Sequence, residues 1–149
     1  MPSPEGSSVT FRRVPATLRR TPIERFARRL QTEVAQGAPF DTLITSDAEL
    51  RRLNRDFRSK DYATDVLSFP LGNTGSGLGD LAISLVRARA QAREFAHSIE
   101  TEIQILMLHG VLHLMGHDHE IDRGQMARLE KRWRAKLSLP AGLIERVES

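Results

Sequence analysis

The chain of 149 residues has no cysteine. Disulfides and thiolate metal sites are therefore excluded, and any metal has to be held by His, Asp or Glu. Aromatic residues are scarce at 5%, with one Trp and one Tyr, so stacking of nucleic-acid bases would have to use a few rings or Arg planes. No apolar run approaches the roughly 18 residues that a membrane span needs. The first eight residues carry no apolar stretch of the kind a secretory signal requires, so a cytoplasmic location is expected. Acidic charge is not in excess either, and the net charge is only +3.

What is present is an ordinary globular balance, 40% hydrophobic and 28% charged, at the usual length of one domain. The charge is unevenly spread. Residues 1–60 hold 12 Lys/Arg against 7 Asp/Glu, whereas the remainder is slightly acidic. Only Lys60, Lys131 and Lys136 are lysines; the other cations are arginines, which suit planar, bidentate recognition of phosphate. The expected organisation is a disordered extension over 1–8 and a single domain over 9–149.

Local patterns give the element order. A strand is expected within 9–14. Thr21-Pro22-Ile23-Glu24 reads as a helix start, with Ile23, Phe26, Ala27, Leu30 and Val34 inward and Arg25, Arg28 and Arg29 outward. Thr42–Thr45 is a short strand. Ser46-Asp47-Ala48-Glu49 opens a second helix with Leu50, Leu53 and Phe57 on one face. Strands follow at 66–69 and 81–84, then helices at 85–95, 99–115 and 122–137. The stretch Ile103–Leu108 is apolar almost all round, so its helix lies inside the domain. Gly116 is placed to end that helix in the left-handed region. These elements predict an α+β fold: one small mixed four-stranded sheet packed against helices.

The chemistry concentrates in His109-Gly110-Val111-Leu112-His113-Leu114-Met115-Gly116-His117-Asp118-His119. Four of the five histidines lie in these eleven residues. His109 and His113 stand one helical turn apart on one face and can converge on one ion. A sharp turn at Gly116 can bring His119 back as a third ligand. Three imidazoles leave a fourth position open for water, as in catalytic zinc sites. A structural zinc site would normally be closed by a fourth ligand and usually includes Cys.

The spacing H-x-x-x-H-x-x-G-x-x-H is that of the metzincin peptidases. Those enzymes carry a general-base Glu after the first His, and this chain has Gly110 there. The ligand pattern without that base disfavours a peptidase. It suits a substrate whose hydrolysis depends on charge stabilisation, such as a phosphodiester.

The same stretch resembles the signature of the YbeY family of bacterial single-strand endoribonucleases. Further blocks agree: Leu53-Asn54 with Phe57-Arg58, Asp61 and Thr64-Asp65-Val66-Leu67-Ser68-Phe69-Pro70; Leu78-Gly79-Asp80-Leu81-Ala82-Ile83-Ser84; and Gln91-Ala92 with His97-Ser98 and Glu102. Ala63 stands where the family usually has Pro, and His117 where Tyr is common. The resemblance implies a zinc-dependent endoribonuclease, with one Zn2+ per chain, acting on single-stranded RNA in 16S rRNA 3′-end maturation and ribosome quality control. Its partner would be the small ribosomal subunit, with neither membrane nor DNA involved. It implies His109, His113 and His119 as metal ligands, and Arg58 with His109 as catalytic residues. The alternatives are a non-catalytic zinc-containing ribosome-assembly factor and, less favoured, a metallopeptidase. The outward arginines of the first helix are expected to flank the metal cleft and guide RNA.

Overall fold

A computed structural model describes residues 6–58, 64–70, 77–118 and 121–140, the side chain of Arg58 excepted. Among the described residues, four strands and five helices follow in the expected order: β1 (Ser8–Phe11), α1 (Arg20–Glu33), β2 (Phe40–Thr45), α2 (Asp47–Arg58), β3 (Val66–Pro70), β4 (Gly79–Ser84), α3 (Leu85–Glu94), α4 (Ile99–Leu114) and α5 (Gln125–Lys136). The sheet order is β1-β2-β4-β3. The pairs β1–β2 and β2–β4 are parallel and β3–β4 is antiparallel, so the sheet is mixed. No helix among the described residues is long and apolar enough to cross a membrane.

Alternation along the strands sorts the two faces. Phe40, Ile44, Leu81 and Ile83 enter the main core with α1 and α4. Leu67 and Ala82 face the other way and meet Leu50 of α2 in a smaller cluster. The helix α4 is central: 11 of its 16 residues are buried, as its all-round apolar character requires. Helices α3 and α5 pack on its remaining sides.

Several boundaries differ from the sequence pattern. β1 starts at Ser8, and Ser7 is already buried, its hydroxyl donating to Gln31 and accepting from the Phe40 N–H. Ser7 and Ser8, expected within an N-terminal extension over 1–8, thus take part in the fold. Helix α1 starts at Arg20 rather than after Thr21. No side chain caps it, and the Arg19 N–H donates to the Glu100 carboxylate at 3.0 Å instead. Helix α2 does use Ser46, whose Oγ accepts from the Glu49 N–H. The Glu49 carboxylate does not close the capping box; it binds Arg12 and Arg52. The Arg52 hydrogen bond holds its carboxyl below the ordinary value, outweighing the opposing effect of burial. Phe57, expected to pack inward, is 69% exposed and meets Phe69 edge-on.

Gly110 shows how closely α4 lies on the sheet. A Cβ there would sit 2.6 Å from Leu81 Cδ2 of β4. Replacing an interior helical Gly with Ala ordinarily stabilises by about 1 kcal/mol, while overpacking a core costs about 1–3 kcal/mol. Gly110→Ala is therefore expected to lower the urea midpoint, a net loss of about 1 kcal/mol. In a Leu81→Ala background the same change becomes neutral or stabilising. A stabilising Gly110→Ala in the wild-type background would contradict the close approach.

Candidate metal centre

The C-terminal half of α4 carries His109 and His113. Their Nε2 atoms lie 3.1 Å apart and their rings meet edge-on. Two imidazoles on one tetrahedral zinc, each at about 2.0–2.1 Å, would hold their nitrogens roughly 3.3–3.4 Å apart. The pair is therefore close to the spacing that a shared ion demands. Without an ion, the same distance is that of a hydrogen bond from one Nε2 to the other.

His109 is only 5% exposed, and its second nitrogen is also engaged. Nδ1 lies 2.7 Å from Oε2 of Glu130, a carboxylate on α5 that is 1% exposed. A neutral imidazole that donates its Nδ1–H to this carboxylate presents its Nε2 lone pair on the other side. The sequence reading missed Glu130. Its signal was position: Glu130 follows buried Met126 by four residues and precedes Trp133 by three, a carboxylate on the apolar stripe of α5.

After His113 the helix ends as expected. Gly116 is left-handed at φ +98°. Its N–H donates to the His113 carbonyl at 2.9 Å, and the His117 N–H donates to the Leu112 carbonyl at 3.1 Å. These are the two bonds of a Schellman motif, and they reverse the chain beside the histidines. His117 is half-buried there. The expected third ligand, His119, and the Arg58 side chain lie outside the described residues. Among the described residues, no group of three or more His, Cys, Asp or Glu is placed to hold a metal ion. His109 and His113 could supply two ligands, and the donor set is all imidazole nitrogen, which suits zinc.

Gly110 explains the missing base of the peptidase pattern. Its position faces β4, and a side chain there would enter the core against Leu81. The edge strand β3 also lies against this part of α4, with the Ser68 hydroxyl 3.4 Å from the Gly110 carbonyl.

The remaining residues that the sequence singled out have structural partners. Asp65 accepts from the Val66 N–H and from Gln91 Nε2, tying β3 to α3. His97 Nε2 lies 2.6 Å from the fully buried Glu102. Asp80 lies opposite Asp41 on paired strands; burial, and then Asp41, push its carboxyl up. The arginines of α1 that were expected to guide RNA are exposed. Arg25 and Arg29 line a separate cleft with Arg19, Arg20, Gln104 and Leu137, and Arg28 is not part of it.

Residues 13–138 match the family described as Endoribonuclease YbeY. A relative named endoribonuclease YbeY from Solibacter usitatus is 84% identical over 149 residues, covering both chains completely. Another of that name from Koribacter versatilis is 52% identical over 121 residues, covering 81% of this chain and 79% of its own. The solution structure of TM1509 from Thermotoga maritima has a TM-score of 0.56 at 27% identity, covering 87% of this chain and 94% of that one. On these matches the chain belongs to the YbeY endoribonuclease family.

Proposed function

We propose that the protein is a zinc-dependent endoribonuclease that cleaves single-stranded RNA, acting on the 3′ end of 16S rRNA and on defective small ribosomal subunits. The observation that carries the metal part is the convergence of the His109 and His113 Nε2 atoms at 3.1 Å on a buried helix. The RNA part rests on the names of the relatives. It also accords with Gly110, whose position has no room for the base a peptidase would use.

His109 and His113 would hold the ion from α4, with His119 completing the set. A zinc ion so held would supply Lewis-acid charge and would make hydroxide available near neutral pH. Arg58, at the end of α2, would place its planar fork of donors on the non-bridging phosphate oxygens as charge grows there.

The purified protein should cut a single-stranded RNA carrying the 3′ sequence of 16S rRNA and leave the same sequence intact as a duplex. Chelation should abolish cutting, and added Zn2+ should restore it. Undiminished cutting by metal-free protein would remove zinc from the reading. Absence of RNA cutting by fully zinc-loaded protein would leave the assembly-factor role in its place.

A further inference from the structure

We propose that Glu130 is a positioning residue of the metal centre, holding His109 in the tautomer and ring orientation that binding requires. The inference rests on the reading of His109 and His113 as metal ligands. Glu130 sits between Met126 and Trp133 on the face of α5 turned to α4, where an apolar side chain would be the ordinary occupant. Burying a carboxylate is costly unless it is paired, and replacing a buried pair by apolar residues is often neutral or stabilising. Stability therefore does not explain the residue well.

The geometry supplies a different reason. With the Nδ1 proton donated across the 2.7 Å contact, the Nε2 lone pair faces His113, whose own Nε2 is 3.1 Å away. The ring torsion of a histidine is intrinsically broad and roughly two-fold, so an unanchored ring would spend time turned the wrong way. Glu130 removes that freedom before the ion arrives, and its charge makes His109 the stronger donor. Because α5 is anchored on the core by buried Met126 and Leu137, the carboxylate is held from a rigid element.

The alternative is that Glu130 merely ties α5 to α4, and two variants separate these roles. Glu130→Leu fills the space without an acceptor; Glu130→Gln keeps an acceptor without the charge. Zinc affinity is measured by competition with a chromophoric chelator, and the His109 ring is followed by 15N NMR in metal-free protein. For wild type we expect a single His109 tautomer with Nδ1 protonated. Glu130→Leu should remain folded with an unchanged or higher urea midpoint, yet bind Zn2+ about 10–100-fold more weakly. Its His109 should show mixed tautomers. Glu130→Gln should keep the tautomer and lose less affinity. Should Glu130→Leu fail to fold, the Gln variant and the wild-type spectrum decide the matter. Wild-type protein that binds Zn2+ while the folded variants bind it within about three-fold as tightly overturns the positioning role alone. The same holds if Nδ1 is unprotonated in wild type. Wild-type protein that binds no Zn2+ overturns the metal reading, and this proposal with it.

Discussion

His113→Ala protein should be purified with almost no zinc, and its RNA cleavage should fall to background. The imidazole at 113 is one of two whose nitrogens already converge, and a single remaining ligand on α4 cannot retain an ion against solvent. Metal catalysis of phosphoryl chemistry is worth several kcal/mol. At about 1.4 kcal/mol per tenfold, the loss in rate should reach at least about 10³. His109→Ala should behave alike, and with an additional cost. It would leave the Glu130 carboxylate buried without its imidazole partner, which costs more than a lost hydrogen bond. His117→Ala should keep the ion, and His119→Ala should lose it. Elemental analysis of each protein checks the assignment. One full equivalent of zinc in the His109→Ala/His113→Ala double variant would end it, and loss confined to His117→Ala would move the third ligand to that position.

Arg58→Ala should retain fold and zinc but lose about 10²–10³ in turnover, the range for one preorganised donor to a developing oxyanion. Arg58→Lys should recover little of this, because the ammonium has no planar fork to span two phosphate oxygens. The measurement is single-turnover cleavage of a short single-stranded RNA at saturating protein, which separates chemistry from binding. The chain around Arg58 is rich in ion pairs. Arg52 bonds both Glu49 and Asp56, and Arg55 bonds Asp56. If Arg58→Ala turns over at the wild-type rate, Arg58 is another member of that surface set.

The features legible in the sequence were those written in contiguous residues. The apolar circumference of α4, the Ser46 cap and the left-handed Gly116 each depend on a few neighbouring positions, and all three stand in the structure. The His109–His113 approach followed from helical spacing alone. What escaped was set by tertiary packing. Glu130 is 21 residues from its histidine, and its place on the apolar stripe of α5 does not say which side chain it meets. Phe57 has the right spacing to follow Leu50 and Leu53 into the core, but α2 covers only part of its face of the sheet, so its last turn projects into solvent. The arginines of α1 were correctly read as outward, because their exposure follows from helical spacing alone.

The ends of the sheet bear on how the protein behaves at high concentration. A four-stranded open sheet has two edges, and an edge strand with free amides and carbonyls invites a strand from another molecule. Here β1 is only four residues long and is followed closely by Arg13, whose backbone is left-handed at φ 58° and cannot continue a ladder. At the opposite edge, β3 ends on Pro70, which has no amide hydrogen to offer. Both borders are thus poor templates for intermolecular β-pairing, and this protection uses none of the residues that line the His109 centre.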